Sequence, residues 1–303
     1  MIRPRTPLLF LLALFGLFAR DYAHGEKIRV ATYNVRNYLL CDRMVEGKWR
    51  PNYPKPEKEK AALRATIAAM NADVLALQEM GDESFMEELL RDLRASGVPA
   101  YPHVVHAPPG HPEEVRRLAV LSRIPPLEVK FHRNLDFKYF EQRTVPDRGL
   151  LEILFETNGV RWRLFNLHLK SKWTERKDDP QGALRREREA RAMRDHLRQT
   201  YPPATNPLHL VVGDFNDHLD SAPLRRFLTV SGNVLARVVP CSDSRGQRWT
   251  HHYAKQDSYT RVDYLLATPA IFERFVPRSG TIRDEPAVST ASDHRSLHAD
   301  FVF

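Results

Sequence analysis

The sequence predicts a single α/β domain, and three observations carry that expectation. From Lys27 onward, short runs of β-branched and aromatic residues alternate with longer amphipathic stretches. No internal repeat or low-complexity linker interrupts the alternation. The chain has 303 residues, 42% of them hydrophobic, which is enough to bury one large core.

Taken in order, residues 1–25 stand apart. Arg3 and Arg5 precede an apolar run from Leu8 to Phe18, and the small-residue pattern Ala23-His24-Gly25 follows. The run is short for a bilayer span, and its flanks read as a secretory signal peptide cut near Gly25, with an uncleaved anchor as the alternative. The expected mature domain is 26–303, exported to a periplasmic or secreted location, with no membrane span left after processing. Losing three arginines and one aspartate with the leader takes the formal charge from +8 to +6. A basic surface attracts polyanions such as nucleic acid or anionic headgroups, although charge alone does not select between them. Cys41 and Cys241 are the two cysteines, and their spacing leaves open whether they pair.

Strands are predicted at Ile28–Val35, Val74–Gln78, Leu118–Ser122, Leu150–Glu156, Trp162–Leu169, Leu208–Val212, Val262–Ala267 and Leu297–Phe303, each short and bounded by turn or polar residues. The stretch 57–71 begins after Pro56 and spaces Leu63, Ile67 and Met70 as one helix face; Glu83–Arg94 does the same with Phe85, Leu89 and Leu93. A third helix, about 181–199, turns Ala190, Met193 and Leu197 inward. Its arginines 185, 186, 188, 191, 194 and 198, among Glu187, Glu189 and Asp195, read as a solvated face with i,i+4 pairs, or as a phosphate track. Cys41–Lys55 and Arg245–Tyr259 read as irregular loops rich in aromatics and cations, suited to base stacking or to ordinary loop packing. Lys130–Pro146 is a further stretch in which an apolar hairpin for a membrane substrate could sit.

The polar residues that end these strands carry the chemistry. Asn34 follows Arg29–Tyr33, Glu79 closes Val74–Gln78, and Asp214 and Asn216 follow Leu210–Gly213. Amides and carboxylates at strand ends converge on one rim of a sheet, where a hard cation such as Mg²⁺ can take one or two carboxylates and keep several waters. Each also has a plain structural reading as a turn or helix-start residue. Two histidine segments shift the balance. Alternation through Phe165–Lys170 puts Asn166, His168 and Lys170 on one face, and Ser292-Asp293-His294 leads into the last strand. Arg261-Val262-Asp263-Tyr264 supplies another acid inside an apolar segment, and a carboxylate beside an imidazole fixes its tautomer and stabilises its protonated form.

The ordered set Tyr33–Asn37, Gln78-Glu79, Asn166–Ser171, Gly213–Asp217, Arg261–Tyr264 and Ser292–His294 resembles the endonuclease/exonuclease/phosphatase superfamily, over residues 28–303. The resemblance implies a four-layer α/β sandwich, two mixed β-sheets packed face to face with helices outside, and a site at one end. It implies metal-site roles for Asn34, Glu79 and Asp293. His294 would activate water or contact the scissile phosphate, with Asp263 orienting it; Asp214 would position the nucleophile and Asn216 hold a phosphate oxygen. His168 matches the histidine of deoxyribonuclease- and sphingomyelinase-like members, where abasic-site endonucleases have a tyrosine. Lys170 resembles the pattern of secreted bacterial nuclease-like members and would hold phosphate; Arg148, before the strand at Leu150, is read as a phosphate contact or a surface cation. The expected cofactor is Mg²⁺, with Mn²⁺ or Ca²⁺ as substitutes. The expected activity is phosphodiester hydrolysis, on DNA or RNA first, on lipid headgroups or small phosphate esters second. A catalytically inactive binding protein on the same fold is the third reading.

Overall fold

The computed structural model describes residues 25–303. The expected signal peptide lies, but for Gly25, outside the described residues. Two six-stranded sheets carry the fold. Their strands in chain order are β1 (Lys27–Tyr38), β2 (Val74–Met80), β3 (His103–His106), β4 (Arg117–Ser122), β5 (Pro126–His132), β6 (Leu150–Thr157), β7 (Val160–His168), β8 (His209–Asp214), β9 (Arg237–Val238), β10 (Asp263–Ala267), β11 (Thr281–Ile282) and β12 (Leu297–Val302). The first sheet runs β11-β12-β1-β2-β4-β3 and the second β9-β10-β8-β7-β6-β5. The principal helices are α1 (Glu57–Met70), α2 (Glu83–Ala95), α3 (Ala183–Thr200) and α4 (Ala222–Leu228).

Each sheet holds one parallel pair, β1 with β2 and β7 with β8; the other neighbours are antiparallel. Parallel strands need a long crossover, and α1 and α3 lie in these two connections. Period-two alternation then sorts the side chains into layers. Val30, Val74 and Val120 from the first sheet meet Ile153, Trp162, Leu164, Val212 and Leu265 from the second in the central core. On the outer face of the first sheet, Leu63, Ile67 and Met70 of α1 and Leu89 and Leu93 of α2 cover Ala31, Leu75 and Leu77. On the outer face of the second, Ala190, Met193 and Leu197 of α3 and Leu224 and Phe227 of α4 cover Phe165, Leu167 and Val211. The result is the expected helix-sheet-sheet-helix sandwich. Among the described residues no helix is long and apolar enough to cross a membrane.

Three sequence expectations are corrected. Cys41–Lys55 is no irregular loop: Cys41–Val45 pairs with Lys48–Tyr53 across Glu46-Gly47, both at positive φ, the turn geometry that matches strand twist. Arg245–Tyr259 likewise contains most of a hairpin, His251–Tyr253 with Ser258–Thr260. The arginine-rich face of α3 is not simply solvated. Arg186 is 2% exposed, with its guanidinium 2.8 Å from Asp217 and donating to the carbonyl oxygens of Lys170 and Gln181. Arg185 pairs with Asp147, and Glu189 accepts the Lys170 amide at 2.7 Å. The helix packs over the loop that leaves β7, and charges buried there need partners. Arg191 and Arg198 stay exposed, which does not make a continuous phosphate track. Lys130–Pro146 does contain a hairpin, Phe137–Tyr139 with Gln142–Thr144, but Phe137 and Tyr139 are buried. Cys41 and Cys241 are both free thiols.

Two buried histidines set an acid limit on this core. Burial, reinforced by Arg163 beside His209 and by Arg29 beside His298, pushes both rings down to about 4, and neither Nδ1 has a hydrogen-bond partner. An unfolded imidazole titrates near ~6.5. The folded state therefore binds fewer protons in between, so this part of the stability is complete above the unfolded value and is lost as pH falls toward 4. Each ring contributes up to about 3 kcal/mol of that loss. Urea midpoints at pH 7 and 4.5 should differ, and the difference should shrink in a His209→Gln/His298→Gln double variant. An equal drop in the variant would show that other groups set the acid limit.

Candidate active site

The four parallel strands end at the same end of the sandwich, and their last residues carry the polar side chains. Asn34 stands near the end of β1, Glu79 near the end of β2, and His168 and Asp214 terminate β7 and β8. Asp263 opens β10 opposite Asp214, and His294 precedes β12. Local backbone irregularity aims them. The β1–β2 register breaks between Asn34 and Tyr38 and the β2–β4 register between Leu77 and Met80. Inside the second bulge Glu79 adopts φ +66°, a costly conformation for a residue with a Cβ, and Asn216 adopts φ +54°. Gly213 must be glycine: at φ +133° a Cβ would lie 2.0 Å from the Leu167 carbonyl oxygen.

Asp214 is the hub. Its Oδ2 accepts the Asn34 amide at 3.0 Å and lies 3.4 Å from His168 Nε2 and 3.8 Å from His294 Nε2. Asn34 also donates to Glu79 Oε1 at 3.3 Å, while the Asn37 backbone amide donates to Glu79 Oε2 at 2.8 Å. His294 Nδ1 sits 2.9 Å from Asp263 Oδ2. The electrostatics separate the two imidazoles. Burial opposes a charge on His294, but Asp263 and Asp214 outweigh it and hold the ring well above the ordinary histidine range. His168 is held well below that range by burial and by Arg148 and Arg116. Asp214 is pushed up to about 7 by burial and by Asp263, against the pull of His294. The arrangement offers a protonated imidazole as donor, a neutral imidazole, and a carboxylate suited to accepting a proton from water near neutrality.

The other expected site residues are close by, with defined partners. Asp293 is partly exposed and lies 3.4 Å from Arg36. Asn216 donates to the Leu169 carbonyl at 2.9 Å, and its backbone amide donates to Asp214 Oδ1. The Lys170 ammonium donates to the Trp173 carbonyl, and its charge acts on His168. Arg148 is buried against Glu114 at 2.8 Å, so the surface reading of that residue is corrected: its charge is enclosed, close enough to act on His168. Asn166, expected on the polar face, bridges the two sheets beneath the site: it accepts from Gln78 Nε2 and donates to the carbonyls of Leu77 and Ala119.

Several supporting roles were not assigned from the sequence. Ser292 Oγ donates to the Asn34 carbonyl and accepts the His294 amide, tying the segment before β12 to its neighbour β1. Thr250 Oγ1 accepts the amides of Val262 and Asp263. Arg116 donates to Asn37 Oδ1 and pairs with Glu114. The His251 ring lies 4.6 Å from that of His294, tilted by 45°, bringing its hairpin to the site's edge; its aromatic-cationic segment was the signal, without the position.

A model of the endonuclease/exonuclease/phosphatase family matches residues 31–294. The chain belongs to the endonuclease/exonuclease/phosphatase family. Members of the family are hydrolases that act on phosphodiester bonds and generally use divalent metals. Among curated proteins none matches the sequence. The human Nocturnin catalytic domain with bound sulfate is similar in structure at 18% identity and TM-score 0.64, over 91% of this chain and 95% of that one. A family member from Leptotrichia buccalis aligns at 15% identity and TM-score 0.62, over 91% and 100%. Sphingomyelinase C from Streptomyces griseocarneus aligns at 17% and 0.59, over 91% and 99%. At these identities the likeness establishes the fold this family member shares with them.

The donor set fits a hard divalent ion. Glu79 is partly exposed, and each of its oxygens accepts a single hydrogen bond, which leaves lone pairs free on both. Asp214, Asp263 and His294 bring ligating atoms within 4.8 Å of one another, but the Asp263–His294 hydrogen bond already engages that pair.

Proposed function

We propose that this chain is an exported, divalent-metal-dependent phosphodiesterase that cleaves DNA or RNA. The observation that carries the reading is the convergence of Glu79, Asp214, His168 and the Asp263–His294 pair at one end of the sandwich. Glu79, with Asn34 and Asp293, would hold Mg²⁺, which when bound neutralises a non-bridging oxygen and the departing alkoxide. Asp214 orients water and takes its proton as the new bond to phosphorus forms on the side opposite the leaving group. His294, charged and steadied by Asp263, donates to a phosphate oxygen as negative charge grows there. His168 stays neutral and lies within the same cluster, its Nε2 3.4 Å from Asp214. Export rests on the pattern of residues 1–25.

Nucleic acid is favoured by the rim. Arg43 of the first hairpin donates to the Asn37 and Leu39 carbonyls, which anchors the hairpin beside Glu79's neighbours. That hairpin exposes Trp49 (61%) and Tyr53 among Lys48 and Arg50, and Trp173 beyond β7 is 72% exposed. Exposed aromatics interleaved with cations stack bases and hold phosphates. The exposed Met44 beside Trp49 supports the second reading, a lipid headgroup substrate.

The purified protein should open circular DNA or degrade RNA in Mg²⁺, with activity abolished by EDTA. Nucleic-acid turnover at subsaturating substrate should fall at least ~10-fold between about 50 and 200 mM salt. Hydrolysis of sphingomyelin in place of both nucleic acids would select the second reading. Turnover unchanged by chelator would remove the metal from the mechanism.

A further inference from the structure

We propose that His132, Glu152 and His196 form a second metal site, on the α3-covered face of the second sheet and separate from the strand-end cluster, that takes a first-row transition ion with Zn²⁺ as the best match. His132 ends β5, Glu152 lies on β6, and His196 lies on α3. Leu150 pairs with His132 across the β5–β6 ladder, and Glu152, two residues on, shares its face, the one α3 covers. Ligating atoms from the three side chains lie within 4.8 Å of one another, and the two imidazole rings are 4.3 Å apart.

The carboxylate is oriented from behind. Glu152 is 1% exposed; its Oε1 accepts Arg163 Nε at 2.9 Å and the Tyr201 hydroxyl, which leaves Oε2 facing His132 Nε2 at 2.7 Å. Outer partners of this kind fix a ligating carboxylate in a metal site. A plain ion pair accounts for His132 and Glu152 but not for His196, whose buried Nε2 has no hydrogen-bond partner although its ring faces the pair. A bound cation would satisfy that nitrogen and let two imidazoles face each other. On binding, both rings ligate in the neutral form, and His132 carries its hydrogen on Nδ1 instead of Nε2.

The donor chemistry selects the ion. Two imidazoles and one carboxylate suit Zn²⁺ and its first-row neighbours, whereas Mg²⁺ and Ca²⁺ prefer all-oxygen sets. Three protein ligands leave a position for water. The ion would pin the crossover helix α3 to β5, the edge strand of the second sheet, and so stabilise the fold without touching the reacting groups.

The test starts from chelator-stripped, dialysed protein to which Zn²⁺ alone is added. Bound zinc is counted by elemental analysis and calorimetry, Co²⁺ spectra are recorded in parallel, and melting temperature is followed with and without Zn²⁺. Wild type and Glu79→Gln should both hold one zinc equivalent that His196→Gln and His132→Gln lack, and Zn²⁺ should raise the melting temperature of wild type by more than that of either histidine variant. His196→Gln should keep Mg²⁺-supported hydrolysis. Comparing the metal-free proteins by circular dichroism separates lost binding from lost folding, and two variants on different elements guard against one of them misfolding. A zinc count in His196→Gln equal to that of wild type, including zero in both, would overturn the proposal. So would loss of the equivalent in Glu79→Gln alone, which would put the zinc at the strand-end cluster.

Discussion

Glu79→Gln is expected to lower turnover at least ~10²-fold at saturating Mg²⁺ while leaving the circular dichroism spectrum unchanged. The substitution keeps the size of the side chain and removes its charge. In the native site both carboxylate oxygens accept, Oε1 from Asn34 and Oε2 from the Asn37 amide. A glutamine can accept at one of those places only and must turn its NH₂ toward a donor at the other. The hard anionic ligand is lost with the same change, so higher Mg²⁺ should recover little activity. Backbone strain is not a confounder, because Gln meets the same cost as Glu at φ +66°. A purified variant with near-normal kcat would remove Glu79 from the metal site.

The strand-end residues were readable in the sequence for a physical reason. Short apolar runs must stop where the core stops, and Asn34, Glu79, His168 and Asp214 are polar groups placed just where they do. Alternation also put Asn166 and His168 on one face; the structure separates their work, Asn166 bridging the sheets and His168 reaching the site. What could not be read depends on spatial neighbours without sequence spacing. The bulge that turns Glu79 and the Glu114 carboxylate that pairs with both Arg116 and Arg148 leave no periodic trace. The same holds for Ser292, which bonds across 258 positions to Asn34. Arg191 and Arg198 of α3 are solvated and Arg191 pairs with Asp195 at i,i+4 as expected, but Arg185 and Arg186 were misread because a charged helix face looks alike whether water or Asp147 and Asp217 receives it. In the first hairpin, the apolar and aromatic residues point to solvent, so the sequence lacked the amphipathic alternation that marks a strand.

His294→Ala should cost at least as much, about 10²-fold or more, and through two separable losses. The first is the donor itself: the ring that Asp263 holds protonated is the positive group facing Asp214 across 3.8 Å. The second falls on Asp214. With the imidazolium gone, Asp214 and Asp263 remain buried near each other with no cation between them, and two such carboxylates cannot both stay charged. One must take up a proton, and if Asp214 takes it, the proton acceptor for water is lost as well. Asp263→Asn separates the two effects. It leaves the imidazole in place, removes its counter-charge, and relieves Asp214 of a like-charged neighbour, so its turnover should lie between wild type and His294→Ala. The check is kcat for the two variants and wild type on one substrate, with thermal midpoints measured alongside. If Asp263→Asn proves as inactive as His294→Ala, orientation of the ring outweighs relief of Asp214, and the second loss is not needed. Normal turnover by folded His294→Ala would take the imidazole out of the reaction and leave Asp214 and Glu79 to carry it.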